Sequence, residues 1–171
     1  MKDVLTEGVI TPIFHVMTLA LKEELKQTKP FTSLHQEAQL NIVRTHHVLS
    51  DGFERILKPH GITGTQYNVL RILRGAEPDG LCRNEVRERL LNRMPDATRL
   101  LDRMERAGLV VRSREGEDRR MVTTRITREG RKLVDDLDAV AESEHQRQLG
   151  HMSDQDLETL ITLLTQARNP G

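Results

Sequence analysis

The chain has 171 residues, 26 basic and 26 acidic, and holds one Cys, one Tyr, three Phe and no Trp. The length fits one domain, or one domain with a helical appendage; the shortage of aromatics argues against a stacking platform for sugars or bases, and the lone Cys82 excludes an internal disulfide and fits a reducing compartment. No run approaches the ~18 apolar residues of a membrane span and the opening MKDVLTEG lacks a signal-peptide pattern, so the reading is a soluble, cytoplasmic protein with no membrane partner.

In chain order, TPIFHVMTLALKEELKQ reads as a first helix, with Thr11 as cap, Pro12 at the first helical position and an apolar stripe through Ile13, Val16, Met17, Ala20, Leu21 and Leu25. A membrane-surface role for this stripe is open to Lys22, Lys26 and Lys29, but Glu23 and Glu24 offset them and a partner helix is the simpler destination. Ser33 with Gln36 forms a capping-box pattern before a long helix whose Ala38, Ile42, Leu49, Phe53 and Ile56 recur at helical spacing until Pro59 and Gly61. Thr63 with Gln66 repeats that pattern before a short helix through Val69, Leu70, Ile72 and Leu73. After the turn EPDG, CRNEVRERLL and MPDATRLLDRMERAG predict two helices a few residues apart, the second stopped by Gly108.

From Leu109 the period changes. LVVRSR and RMVTTRI carry the β-branched residues of two strands, with EGED as their turn. Thr127 then caps a long helix carrying Leu133, Leu137, Val140 and Ala141, and Ser153 caps the last, carrying Leu157, Leu160, Ile161 and Leu164. The expected fold is therefore mainly α, with β structure confined to one hairpin.

Charge is distributed unevenly along these elements. Residues 81–131 hold 14 Arg, no Lys and 9 acidic residues, a balance of +5, which leaves 12 basic against 17 acidic elsewhere. Such asymmetry points to nucleic acid, and guanidinium suits phosphates and guanine edges better than ammonium does. A helix pair with a short turn followed by a hairpin is the winged helix-turn-helix plan, in which the second helix enters the major groove and the hairpin, or wing, lies beside it.

GITGTQYNVLRIL, TRLLDRMERAGLVVRS, EDRR and ITREGRKL resemble the MarR (multiple antibiotic resistance regulator) family of bacterial transcription factors, over about residues 34–168. The resemblance implies a dimer with interlocked first and last helices, and release from DNA by a phenolic or other small ligand. It divides the chain into an extra N-terminal helix (1–30), a helical dimerisation region (31–62 and 128–171) and a DNA-binding lobe (63–127). The chain departs from the family in carrying Cys82 and Met94 where helix starts often have Ser or Thr. A dimer would set recognition helices about 34–36 Å apart, so double-stranded DNA with a near-palindromic operator is the expected partner.

On the recognition helix, Arg93, Asp96, Thr98, Arg99 and Arg103 are the polar candidates for DNA, and Thr98 and Arg99 match positions that the family uses there. Arg103 and Arg106 have a competing reading as surface partners of Asp102 and Glu105. In the wing, Asp118 and Arg120 match the family's Asp-x-Arg signature: the aspartate would orient a guanidinium, and Arg119 or Arg120 would enter the minor groove, whose negative potential attracts arginine. Arg112 and Arg114 are expected on phosphate. The resemblance places an effector site among His46, Ser50, Tyr67 and Arg71, each of which reads equally as core edge or solvated face.

Cys82 at a helix start is read first as a small packed residue, with an oxidant-sensing thiol as the alternative. The adjacent His46 and His47 point about 100° apart on a helix, and His145 and His151 are separated by Gly150, so no metal or cofactor is expected. No nucleophile–base pair or phosphate-cradling glycine loop suggests an enzyme. An architectural protein, which would bind DNA without sequence preference, is the remaining rival.

Overall fold

A computed structural model describes residues 21–92, 96–114 and 122–169. The expected cap Thr11 and most of the first helical stripe lie outside the described residues. Residues 21–24 are helical. The elements that follow are α1 (Leu34–Leu57), a 3-10 turn (Lys58–His60), α2 (Gly64–Arg74), β1 (Leu81–Cys82), α3 (Arg83–Arg89), α4 (Ala97–Arg106), β2 (Val110–Ser113), β3 (Thr123–Ile126), α5 (Arg128–Leu149) and α6 (Asp154–Arg168). The chain divides into two compact units within α1, one ending at Val48 and one starting at Leu49. No described helix is long and apolar enough to cross a membrane.

In the first unit, Arg44 Nε pairs with Glu24 Oε2 at 2.9 Å. Leu34, Ile42, Val43 and Val48 leave an exposed apolar series along the first part of α1.

The second unit holds the core. α2 buries Tyr67, Val69, Leu70 and Leu73, α4 buries Ala97, Leu100, Leu101 and Met104, and α5 buries Val134, Leu137 and Ala141. Local signals set the helix ends. Thr63 and Gln66 form the capping box, Thr127 accepts from the Gly130 N–H, and Ser153 accepts from the Asp156 N–H. Gly108 leaves α4 at φ +72°, where the N–H groups of Gly108 and Leu109 close onto the carbonyls of Glu105 and Met104.

The wing has a strand more than the sequence predicts. The sheet order is β1-β3-β2, antiparallel throughout, with Val110 opposite Ile126, Ser113 opposite Thr123, and the short β1 setting Leu81 opposite Thr124. A two-residue strand has no periodicity of its own and forms because β3 offers a free edge.

At the far end of the chain, α6 has no buried residue, and Ile161 and Leu163 are exposed.

Candidate nucleic-acid interface

α4 is strongly amphipathic. Its inward face is Ala97, Leu100, Leu101 and Met104, so Thr98, Arg99, Arg103 and Arg106 are left on the outward face. The first turn is organised by three polar contacts. Asp96 caps the helix by accepting the Arg99 N–H at 3.1 Å, and its other oxygen pairs with Arg99 Nε at 2.8 Å. Arg83, from the start of α3, donates to Thr98 Oγ1 at 3.3 Å. Arg99 is thereby oriented before any ligand arrives, while its side chain remains 84% exposed. Arg103 and Arg114 are exposed, and neither has a protein partner among the described residues.

Arg112 is placed differently from the phosphate role expected of it. Its Nε and Nη2 donate to Glu105 Oε2 at 2.9 and 2.6 Å, Nη2 also reaches Asp102 Oδ1 at 2.6 Å, and its backbone N–H donates to Glu105 Oε1 at 3.1 Å. Side-chain bonding to Arg112 holds the Glu105 carboxyl below the usual carboxylate range. These contacts also revise the pairing expected along α4. Asp102 and Glu105 go to Arg112, whereas Arg106 donates to the Asp102 backbone carbonyl. The sequence suggested helix-spaced pairs because those neighbours are visible in it; a contact across the turn into the wing is not.

Of the five arginines around the hairpin, Arg125 is also used within the protein, donating to the Pro78 carbonyl at 3.2 Å and to Ser113 Oγ at 2.9 Å. Arg93 and the wing residues Asp118, Arg119 and Arg120 lie outside the described residues. An open cavity of about 510 Å³ separates the start of α3 from α4 and the sheet, bordered by Cys82, Arg83, Thr98, Arg112 and Thr124.

Cys82 is half-buried and pairs with Thr123 as the second residue of β1. Its N–H donates to Glu85 Oε2 at 2.7 Å, and this bond holds the Glu85 carboxyl below its ordinary range. Through its backbone, Cys82 anchors the strand-to-helix junction. Arg83, beside it, is a residue that the sequence reading missed. Its only sequence signal was a position one residue after a helix cap, among many arginines.

Among the effector candidates, the structure brings Tyr67 and Arg71 together: the Arg71 guanidinium lies 6.0 Å from the Tyr67 ring centre. Phe53 meets Tyr67 edge-on at 5.5 Å and stacks on His145. Burial pushes the Tyr67 phenol above its ordinary pKa. Ser50 is half-buried on α1, and His46 is exposed in the unit that ends at Val48, with its ring 5.7 Å from His47. Behind Tyr67, Arg74 bonds Asp135 at 2.6 Å and Asp138 at 2.7 Å, which joins α2 to α5. Among the described residues, no three His, Cys, Asp or Glu side chains gather as a metal site.

The family model described as "MarR family" matches residues 60–121. The HTH-type transcriptional regulator FarR of Neisseria gonorrhoeae is 32% identical over 63% of this chain and 73% of its own length. The homoprotocatechuate degradative operon repressor of Escherichia coli is 30% identical over 58% of this chain and 66% of its own. The crystal structure of a MarR transcription factor from Planctomyces limnophilus is 39% identical, covers 79% of this chain and 98% of its own, and superposes with a TM-score of 0.62.

Proposed function

The chain belongs to the MarR family of winged helix-turn-helix transcriptional regulators, and we propose that it acts in the cytoplasm as a homodimeric repressor, released from a near-palindromic operator by a phenolic or aromatic-acid ligand. The observation that carries the DNA-binding part is the outward face of α4, where Thr98, Arg99 and Arg103 project from a helix whose other face is fully packed. In this reading the first turn of α4 meets base edges in the major groove. Arg114 neutralises phosphate, and Arg119 or Arg120, oriented by Asp118, enters the minor groove. Arg93 lies just before α4 and joins the phosphate contacts.

An aromatic-acid effector suits the chemistry of Arg71, since an exposed guanidinium fork binds a carboxylate, while the buried Tyr67 ring backs that guanidinium. The homoprotocatechuate degradative operon repressor, by its name, serves an operon for breaking down such a compound. Release requires that the ligand bind the DNA-free arrangement of the two lobes more tightly than the DNA-bound one.

The deciding experiment is a fluorescence-anisotropy titration against a duplex from the region upstream of the chain's own gene and a scrambled duplex, at two salt concentrations. Tight, salt-weakened binding with preference for the upstream duplex supports the regulator. Equal affinity for the two duplexes indicates an architectural protein, and no binding to either removes the reading. Adding aromatic acids to the wild type and to the His46→Ala, Ser50→Ala and Arg71→Ala variants then tests the effector site. Cys82→Ser should leave release unchanged.

A further inference from the structure

The guanidinium of Arg112 ties the wing to the recognition helix, and we propose that Arg112 is a positioning residue that holds the wing at the angle from which wing and α4 engage DNA together. The inference rests on the DNA-binding reading and adds to it a residue that acts without touching DNA.

Arg112 is the third residue of β2, and Asp102 and Glu105 stand one turn apart on α4. Glu105 takes both the side chain and the backbone N–H of Arg112, and Asp102 takes the same Nη2 from the other side. The arginine side chain is only 24% exposed. One guanidinium shared by two carboxylates leaves a net charge of −1 at this spot, which repels phosphate, so the group is poorly suited to contact the backbone of DNA. It is well suited to hold an angle. The chain from Glu105 to Arg112 passes through the Gly108 turn, and β2 cannot rotate on α4 without breaking several charge-assisted bonds at once. A second tie, from Thr127 Oγ1 to the Gly108 carbonyl at 2.7 Å, fixes the other side of the turn. A wing held in place before binding loses less freedom when it meets DNA, and that difference appears as affinity.

The sign of one substitution separates this role from simple electrostatics. Glu105→Gln removes a negative charge from the lobe that approaches DNA, so Coulomb attraction alone would tighten binding. The brace requires the opposite. With the full chain and a duplex that the wild type selects from a randomised pool, Glu105→Gln and Arg112→Ala should each bind about tenfold more weakly, the scale of a lost charge-assisted hydrogen bond. The slope of log affinity against log salt should stay at the wild-type value in both, because no phosphate contact is lost. Arg114→Ala, measured alongside, should lower that slope by about 0.9. The double variant should bind no more weakly than Arg112→Ala alone, since both changes remove one tie.

Thermal melts verify that each variant is folded at the assay temperature, and Glu105→Gln, the milder change, decides the matter if Arg112→Ala does not fold. Binding by Glu105→Gln as tight as the wild type or tighter overturns the brace, as does a slope reduced by one phosphate in Arg112→Ala. If the wild type itself selects no duplex, the DNA-binding reading falls and takes the brace with it. If the wild type binds while Glu105→Gln binds equally well, only the brace falls.

Discussion

Gly130 shows how little room the junction between wing and α5 leaves. A Cβ at this position would lie 2.2 Å from the Leu109 carbonyl oxygen and 3.1 Å from an Ile126 side-chain carbon. The neighbouring atom is backbone and cannot swing aside. The same turn is held by Thr127, whose hydroxyl accepts from the Gly130 N–H at 3.0 Å while donating to the Gly108 carbonyl, and whose N–H donates to Leu109. Gly130→Ala is therefore expected to destabilise the fold by about 2 kcal/mol, the usual scale of forced overpacking, read as a lower urea midpoint at unchanged m-value. An unchanged midpoint would mean that the two segments separate easily. At Asp96 one side chain caps α4 and orients Arg99, so Asp96→Ala should cost about 1 kcal/mol of stability through the lost cap. Its DNA affinity should fall as well, because the cost of a freely rotating Arg99 outweighs the repulsion removed with the aspartate.

Among the elements, those bounded by local chemistry were legible. Thr63, Thr127 and Ser153 each announce a helix in their own neighbourhood, and each caps as the spacing predicts. β1 was not legible, since two residues become a strand only when the edge of β3 is beside them. The arginine surplus around the hairpin was visible as a count. Its division was hidden because Arg112 and Arg125 are committed through partners that only folding brings near. α6 presents the reverse case, an amphipathic sequence whose stripe of Leu157, Leu160, Ile161 and Leu164 has no buried member and leaves Ile161 open to solvent. A helix with that pattern is expected to bury its stripe, and a second copy of the chain is the partner that the proposed function supplies. Ile161→Asp should convert a dimer to a monomer, as judged by sedimentation, without lowering the helical signal in circular dichroism. A wild-type chain that sediments at monomer mass, or a dimeric Ile161→Asp, would send the interface elsewhere.

For the molecule as a whole, opposite charges are placed to hold elements together as well as to meet DNA. Arg74 joins α2 to α5 through Asp138 and Arg112 joins β2 to α4 through Glu105; within α5, Arg147 and Gln148 converge on Glu144, and the neutral Gln148 also reaches the Leu49 carbonyl of α1. In each case the bonded arginine holds the carboxyl below its ordinary pKa. The unfolded chain, whose carboxyls are unperturbed, therefore takes up protons first as the pH falls, and the folded state loses ground by the difference. The stabilisation is fully present above the ordinary carboxylate range and disappears as the pH drops through the depressed values. Asp138 and Glu105 are partly exposed, so solvent screening keeps each contribution small, and the effect should be read as their sum. Urea midpoints should be nearly level from pH 7 to about 5.5 and should decline steadily below about pH 5. Arg74→Gln should flatten that decline, because Asp138 then titrates nearly alike in both states. A midpoint that stayed level to about pH 3.5 in the wild type would show that these pairs form equally well in the unfolded chain, and the ties between α2, α5 and the wing would have to be credited to apolar packing alone.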